Sequence, residues 1–444
     1  MDSIQRKSFR TYSELQAHIK SAIPSLFVAS KTSTVIPYEF LEEKLALYGS
    51  EKCVVELSTI PGEINVNQEK ETVEVSGHIT WKELKAECLS LGLEVMTSPT
   101  EELANVLSGV ATSCTGERCF GLGTMRDQIE KVQYFGHDGE LKQLGSDKEL
   151  NLDIDLKKYQ TDYKPFENFK NAPFPRLDKE IDLMIGTEGQ LGIIKSVELR
   201  IRKKENIRYV FIRLPKWEED FSIHLNIYKK IQRFRGEIIA CELIDSNSLS
   251  YLPKDKRPFE NQDLIFLEIL DNSFEYVYEE FLTKLGVNEN QFFEIAFNKC
   301  RELRMDVPRY IFEKNAQMGV QKKGTDVQAT GENFENLLNT YKEWSKDKIK
   351  YNLFGHFGDG HLHFNFMPTV DELPYCNTIL ENFYINISKL NVSPFAEHGI
   401  GLLKRDYIKN YWTKNQYNVF KEIKNIYDPS RIFFPSGYMG IKSD

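Results

Sequence analysis

The most informative feature of the sequence is a concentration of histidine between His356 and His398, where four of the eight histidines lie. Neutral imidazole is a common metal ligand, and it also transfers protons near neutral pH. The tripeptide Gly358-Asp359-Gly360 predicts a turn, because such glycine-rich segments do not continue a strand. Beyond this turn, polar and apolar residues alternate, which places His361 and His363 on one strand face. The spacing therefore predicts a polar face able to bind a metal ion.

A carboxylate completes many histidine metal sites, and the doublet Glu397-His398 supplies one. On an extended segment these two side chains would point in opposite directions. On a turn both could reach one cavity, one as a ligand and one as a general base. Gly399 and Gly401 would let the backbone approach a ligand closely. The alternative is that the histidines make core hydrogen bonds, and their grouping with Glu397 favours the metal interpretation.

Two runs of small residues could bind phosphate, since small side chains leave backbone N–H groups accessible. The first covers residues 108–116 and leads into 120–127, and the second covers residues 185–194. Gly121-x-Gly123 lacks the third glycine of the dinucleotide-binding fingerprint and also its strand–helix context. Ordinary tight loops remain the alternative, but two such runs together favour a long ligand that carries a diphosphate.

Short strands and helices must position these residues. In the first half, apolar spacing predicts helices over residues 13–23 and 80–91 and strands over 26–29, 53–57, 72–75 and 130–135. Residues 140–180 have weak periodicity and are interpreted as a long surface excursion. Beyond them, the pattern predicts strands over residues 210–214, 238–243 and 263–269 and a helix over 218–234. The main domain boundary is therefore expected near residue 205.

Composition excludes several classes of function. The 444 residues allow two or three domains at roughly 150 residues each. The net charge of −9 argues against nucleic acid as a partner, since phosphate binding needs a basic face. No run approaches the roughly 20 apolar residues of a membrane helix, and the start lacks a signal-peptide core. Seven cysteines without a CxxC pair indicate reduced thiols. A cytoplasmic location is expected, with peripheral membrane association as an alternative.

Taken together, the motifs resemble those of FAD-linked oxidases of the vanillyl-alcohol-oxidase superfamily, which have a PCMH-type domain. Within it the chain is most similar to the D-lactate, glycolate and D-2-hydroxyglutarate dehydrogenases. The matching stretches follow the family order: residues 75–81, 108–127, 182–194, 355–363, 397–404 and 428–431, with Pro435. The most specific of them is the pair formed by Gly-His-x-Gly-Asp-Gly-x-x-His and Glu-His-Gly-Ile-Gly.

The resemblance implies an α+β fold in three parts. A PCMH-type FAD-binding domain would cover residues 1–205, and a cap or substrate domain with an antiparallel sheet residues 206–394. Residues 395–444 would return to complete the flavin site. The cofactor is expected to be non-covalent FAD, accompanied by a divalent metal, with zinc as the first choice. The expected partners are a small 2-hydroxy acid and an electron acceptor such as a quinone, an electron-transfer flavoprotein or oxygen. A homodimer is one alternative for the assembly.

Site residues follow from the resemblance by position. His356, His363 and Glu397 resemble the metal ligands, and His398 the catalytic base. Arg309 corresponds to a substrate-carboxylate arginine, with Arg304 as a competing choice, and Lys323 to a second cation. The residues expected to bind FAD are Ser30, Lys31, Thr32, Ser33, Thr34, Pro99, Ser108, Gly109, Thr112, Ser113, Gly116, Gly121, Gly123, Thr124, Asp127, Gly186, Glu188, Gly189, Gly192, Ile193 and Ile194.

The implied reaction is hydride transfer from the hydroxy acid to flavin N5, assisted by the metal. Several residues depart from the family pattern. Residues 30–34 replace a Gly-Gly-Gly-Thr phosphate loop, His361 replaces a usual asparagine, and residues 433–437 replace an Asn-Pro-Gly. Two alternatives therefore stay open. One is a flavoenzyme of the same fold with another substrate, of the sugar or alditol oxidase or ether-lipid synthase type. The other is a catalytically degenerate flavin-binding subunit.

Overall fold

The computed structural model describes residues 4–48, 50–320 and 323–441. The strands are β1 (Gln5–Ser8), β2 (Ser25–Val28), β3 (Cys53–Glu56), β4 (Glu63–Asn67), β5 (Thr72–Ser76), β6 (Leu93–Val95), β7 (Ile129–Phe135), β8 (Leu141–Gly145), β9 (Ile193–Lys203), β10 (Ile207–Leu214), β11 (Ile238–Ile244), β12 (Asp263–Leu270), β13 (Phe292–Ile295), β14 (Lys323–Gly324), β15 (Val327–Ala329), β16 (Tyr351–His356), β17 (His361–Phe366) and β18 (Val392–Ser393).

The helices are α1 (Tyr12–Lys20), α2 (Leu41–Tyr48), α3 (Trp81–Ser90), α4 (Val106–Ala111), α5 (Cys119–Leu122), α6 (Met125–Gln128), α7 (Lys157–Tyr163), α8 (Ser222–Ile231), α9 (Ser246–Ser250), α10 (Phe274–Glu280), α11 (Phe297–Gln317), α12 (Glu332–Ser345), α13 (Leu373–Ile387) and α14 (Lys414–Tyr427). Within the described residues, none of these helices is long and apolar enough to cross a membrane. The mixture of helices and largely antiparallel sheets confirms the predicted α+β class.

The chain divides into two compact units that interrupt each other in sequence. The first unit contains the residues up to Gly116, Gly123–Lys204 and those from Glu397 onward. The second contains Glu117–Leu122 and Glu205–Ala396. The three-part division expected from the sequence stays a prediction, and the short insertion at Glu117–Leu122 has no counterpart in it.

Two sheets form the framework of the first unit in the part of the chain that the structure describes. One is parallel, with strand order β1-β3-β2, and the other is antiparallel, with order β4-β5-β9-β7-β8 and β6 beside β9. Helices α1 and α3 begin with capping boxes, in which Thr11 and Thr80 bond to the N3 backbone and the N3 glutamates bond back. A buried apolar cluster joins Leu15, Ile19 and Cys53 to Phe433 near the end of the chain.

Residues 140–180 correct the expectation of a surface excursion. Helix α7 lies within this segment, and several of its aromatic side chains are buried. Tyr159 is fully buried, and its ring packs edge-on against Phe174 at 5.2 Å and Phe420 at 5.8 Å. The error arose because charged residues between the aromatic anchors hide the apolar spacing of the segment.

The second unit is built around one antiparallel sheet with the order β13-β10-β12-β11-β16-β17-β15-β18, and β14 pairs with β17. Strands β11 and β12 are buried almost throughout, so they form its centre. An apolar cluster packs one side of α11, through Leu303, Val307 and Ile311, against Phe211 and Phe266. Helix α8 begins at Ser222, four residues later than the sequence predicted. The unit thereby fixes the strands β16 and β17 that carry the histidines.

Candidate active site

The hairpin of β16 and β17 brings the clustered histidines together. The two strands are antiparallel, and their register pairs His356 with His361 at the end next to the turn. The turn requires glycine at position 360, where φ is +67° and a Cβ atom would lie 2.0 Å from the Ala329 carbonyl oxygen. His363 follows two residues after His361, on the same face of β17. Strand geometry therefore gathers three imidazoles at one end of the hairpin.

These three imidazoles are close enough to share an ion. One ring nitrogen from each of His356, His361 and His363 lies within 4.8 Å of the others. The ring centroids of His361 and His363 are 4.6 Å apart, and those of His356 and His361 are 5.4 Å apart. All three side chains are buried. The structure thus groups the two histidines predicted as ligands with a third that the resemblance did not assign to the metal.

Each imidazole has a hydrogen-bond acceptor on one ring nitrogen. His363 Nδ1 lies 3.1 Å from the Thr325 carbonyl oxygen, and His356 Nδ1 lies 2.7 Å from Glu242 Oε1. A carbonyl oxygen can only accept, so Nδ1 of His363 carries the proton and Nε2 the lone pair. The Glu242 carboxylate favours the same tautomer in His356. This pattern is typical of metal-binding histidines, whose second nitrogen donates to a carboxylate or a carbonyl.

A buried network of charges continues from His356. Glu242 Oε2 lies 3.6 Å from Arg304, whose guanidinium is 2.5 Å from Glu117 Oε1. Burial alone would raise the pKa of the Glu242 carboxyl, but the neighbouring His356 and Arg304 outweigh burial and hold that pKa below its ordinary value. The same carboxylates keep the pKa of Arg304 raised although the side chain is buried. Arg304 is therefore a permanent cation, and the Glu242 carboxylate connects it to His356 of the histidine hairpin.

The structure separates the two arginines that the sequence left as competitors. Arg309 lies on the same helix α11, but its side chain is 51% exposed and is bonded to Asp306 at 2.6 Å. Lys323, the predicted second cation, pairs in register with Phe366 at the opposite end of β17 from His361. Of the three predicted cations, Arg304 is the one in the buried network with His356.

In the first unit, the two runs of small residues lie side by side. The Glu188 backbone N–H donates to the Ala111 carbonyl at 2.8 Å. A Cβ atom on Gly186 would lie 3.5 Å from Ser113 Cβ. Asn171 holds the Ser113 carbonyl with a side-chain hydrogen bond of 2.9 Å. The sequence prediction that both runs bind one long ligand with a diphosphate is therefore compatible with their positions in the fold.

Buried polar atoms without partners mark the surroundings of these two runs. Counting only partners within the described ranges, four such atoms are Trp81 Nε1, Thr97 Oγ1, Thr115 Oγ1 and Gln190 Nε2. Trp81 Nε1 would be 2.9 Å from a Cβ on Gly109. Buried polar groups nearly always have hydrogen-bond partners, so such a group of exceptions indicates a place where a polar ligand fits.

Glu188 makes contacts with the protein that the sequence did not reveal. Its carboxylate accepts hydrogen bonds from the backbone N–H of Ile400 at 2.6 Å and of Gly401 at 3.0 Å. Burial raises the pKa of Glu188 to about 7, although these two hydrogen bonds and Lys404 oppose the rise. Its backbone has a positive φ of 53°, which is uncommon for a residue with a side chain. Glu188 therefore ties the second small-residue run to the segment that follows His398.

Other residues predicted to contact FAD also make contacts within the protein, and their role in binding FAD stays a prediction. Lys31 is paired with Glu56 at 2.6 Å, and Ser30 Oγ lies 3.1 Å from His78 Nε2. Thr124 donates to Asp127 at 2.7 Å through its backbone N–H, in a helix cap. Close approach of backbone requires several of the glycines: a Cβ would meet the Ser98 carbonyl at Gly116, Ile239 at Gly121 and Tyr134 at Gly192.

Glu397 and His398 follow directly on Ala396, the last residue of the second unit. The Ala396 N–H donates to the Asp326 carbonyl at 3.3 Å, and Asp326 is also the residue whose carboxylate bonds to His361. Glu397, the predicted carboxylate ligand, and His398, the predicted base, therefore follow by one and two residues the Ala396 that bonds to Asp326, next to the start of β15.

Comparison with known proteins agrees with the site. Residues 203–437 match the sequence profile of the family described as "FAD linked oxidases, C-terminal domain", which is more than half of the chain. The chain belongs to the FAD-linked oxidases. The resemblance to this family inferred from the motifs is thereby confirmed. The polar atoms left without partners around Gly109, Thr115 and Gln190 fit the diphosphate-bearing cofactor of such an oxidase.

Curated relatives of this FAD-linked oxidase carry the names of hydroxy-acid dehydrogenases. D-lactate dehydrogenase [cytochrome] of Kluyveromyces lactis is 24% identical over 84% of this chain and 62% of its own length. D-lactate dehydrogenase of Anaerostipes hadrus is 22% identical, with 84% and 77% covered. D-2-hydroxyglutarate dehydrogenase of Arabidopsis thaliana is 25% identical, with 57% and 47% covered. The chain spans only 52% to 62% of the length of the first three curated relatives.

A solved structure shares the fold. Alkyldihydroxyacetonephosphate synthase aligns with a TM-score of 0.65 over 96% of this chain and 74% of its own, at 15% sequence identity. A likeness at this identity concerns the architecture alone, and it agrees with the α+β fold described above.

Proposed function

We propose that this FAD-linked oxidase oxidises a small 2-hydroxy acid at its CH–OH group. The names of the relatives support this class of substrate, with D-lactate and D-2-hydroxyglutarate as the first candidates. Glycolate is a further candidate from the resemblance of the sequence motifs. The observation that carries the proposal is the histidine hairpin. Its imidazoles are held with lone pairs on defined nitrogens, which suits binding of a cation next to a hydroxyl group.

The residues that would hold a divalent ion are His356 and His363, with Glu397 as the carboxylate from the sequence prediction. Such an ion would supply positive charge that favours loss of the proton from the substrate hydroxyl. Bound FAD would supply the two-electron acceptor that oxidation of the substrate CH–OH group requires. The chain itself contributes the orientation of the ligands through Glu242 and Thr325, and the two small-residue runs as the cofactor support.

We assign His398 as the base that accepts the hydroxyl proton, because an imidazole has an ordinary pKa suited to this role at neutral pH. For the substrate carboxylate we assign Arg304 instead of Arg309. Arg304 is buried in the network with His356, whereas Arg309 is half exposed and bonded to Asp306. A guanidinium can bind a carboxylate through two parallel hydrogen bonds, which fixes the orientation of the acid.

The test is anaerobic reduction of the purified yellow protein by each candidate acid, followed by flavin absorbance. We expect H398A to slow reduction by about two to four orders of magnitude. H137A serves as the control, since His137 lies in the turn between β7 and β8. Reduction at an unchanged rate in H398A would remove the assignment of the base. Yellow protein that no hydroxy acid bleaches would favour another substrate or a non-catalytic flavoprotein, and would overturn the proposal.

A further inference from the structure

We propose that His361 is a third imidazole ligand of the metal site, which makes the site nitrogen-rich and selects zinc-like ions over Mg²⁺ or Ca²⁺. This inference rests on the proposed function, because it concerns the same ion. The family resemblance assigns only His356 and His363 among the histidines, so the third imidazole is a property of this chain.

Backbone geometry gives the first support. His361 is the register partner of His356 across the hairpin, and it precedes His363 by two residues on β17. Both relations are set by strand pairing, so His361 stays beside the other two without any change of backbone conformation. Its ring lies between the other two rings, at 4.6 Å from His363 and 5.4 Å from His356, while those two are 6.3 Å apart.

The hydrogen bond to Asp326 gives the second support. His361 Nε2 lies 3.0 Å from Asp326 Oδ1, and both side chains are buried. A carboxylate accepts, so the proton lies on Nε2 and the lone pair on Nδ1. Asp326 and Thr325 are adjacent in the chain, and they orient His361 and His363 respectively. One short segment thus prepares two neighbouring imidazoles in the way that metal ligands are prepared.

Thr325 is itself fixed by the core, which makes this segment rigid. Its hydroxyl lies 2.8 Å from the Tyr341 hydroxyl and accepts a hydrogen bond of 3.1 Å from the Phe364 N–H. Its backbone N–H donates to the Phe364 carbonyl at 3.0 Å. The acceptor for His363 therefore cannot move without breaking contacts with β17 and α12, and the adjacent Asp326 is held by the same contacts.

The donor set decides the class of ion. Three neutral imidazoles with one carboxylate suit Zn²⁺ and its neighbours among the transition metals. Mg²⁺ and Ca²⁺ prefer oxygen ligands and would gain little from the histidines. The buried carboxylates of Glu242 and Asp326, bonded to the outer nitrogens, add negative charge that favours a cation at the imidazoles.

The test measures metal affinity of the full chain, independent of turnover. The protein is stripped with a chelator, and Zn²⁺ is titrated in competition with a chromophoric chelator. The main variant is H361Q, whose amide can still donate to Asp326 but offers no imidazole lone pair. We expect it to bind Zn²⁺ about 100-fold more weakly than the wild type, and the d–d absorption of the Co²⁺ form to change. H361N is a second variant for the case that the first does not fold.

The matched control is H224Q. His224 is also a buried histidine of the second unit bonded to a carboxylate, with Nε2 3.2 Å from Asp263 Oδ2, but it lies outside the cluster. Its replacement should leave Zn²⁺ affinity unchanged. Wild-type affinity in folded H361Q or H361N, with affinity lost in H356Q, would overturn the role of His361 and leave the proposed function standing. Failure of the wild type to prefer Zn²⁺ over Mg²⁺ would overturn the nitrogen-rich site, whereas loss of flavin bleaching in H398A tests the proposed function separately.

Discussion

The buried Glu188 carboxyl, which accepts hydrogen bonds from the segment after His398, makes the stability of the protein depend on pH, and this dependence can be tested quantitatively. In the variant E188Q, the amide oxygen can still accept from the Ile400 N–H and, at 3.1 Å, from the Gly401 N–H, but the amide nitrogen replaces Oε2, the oxygen 3.0 Å from the Gly401 N–H. The wild-type carboxyl is unfavourable in the folded protein when it is ionised, because burial raises its pKa to about 7 from the ordinary 4.5. The glutamine has no such ionisation.

The sign and size of the effect follow from proton linkage. Between pH 4.5 and 7 the folded protein binds more protons at this group than the unfolded chain, so its stability falls as pH rises. At about 1.4 kcal/mol for each pKa unit, the difference between 4.5 and about 7 amounts to about 3 kcal/mol. This cost is absent below pH 4.5, grows up to pH 7 and is constant above it. The variant avoids this cost. Its stability is instead lowered by about 1–2 kcal/mol at every pH, because the amide N–H donor then faces the Gly401 N–H donor.

The assay is urea unfolding of wild type and E188Q at pH 5 and pH 8. We expect the variant to be less stable at pH 5 and to gain about 2–3 kcal/mol relative to the wild type by pH 8. E69Q is the control, since Glu69 is exposed in the turn between β4 and β5 of the same unit. A difference in stability between E188Q and wild type that stays constant from pH 5 to pH 8 would refute the reasoning.

Three further predictions follow from single contacts. G360A should cost about 1–3 kcal/mol more than G331A in urea unfolding, because both positions have positive φ but only at Gly360 would a Cβ clash, at 2.0 Å. K424M should lose about 3–5 kcal/mol by calorimetry, since Lys424 is fully buried and its removal leaves the carboxylate 2.7 Å away without its cation. R304K should raise the KM for the hydroxy acid about tenfold or more while R309K leaves it unchanged, and equal KM values would reverse our choice between them.

The sequence predicted those parts of the site that depend on local spacing. Alternation after the turn at 358–360 was enough to place His361 and His363 on one strand face. The sequence favoured Arg309 over Arg304 by position alone, because both lie on α11 and the contacts of Arg304 with Glu117, far away in the chain, leave no local signal. The tie between Glu188 and residues 400–401 was missed for the same reason, since no pattern in either segment refers to the other.

The interleaving of the two units affects how the chain can fold during synthesis. The first unit needs its last segment, because Ser25 donates its backbone N–H to the Ile432 carbonyl at 2.7 Å and Phe27 packs on Phe433. A ribosome therefore releases the partners of these early residues only after the second unit has been synthesised. Until then β2 can pair with β3, but Ser25 and Phe27 lack their contacts with Ile432 and Phe433. A deletion that removes Ile432 and Phe433 should accordingly reduce the yield of folded protein, because Ser25 and Phe27 lose these contacts.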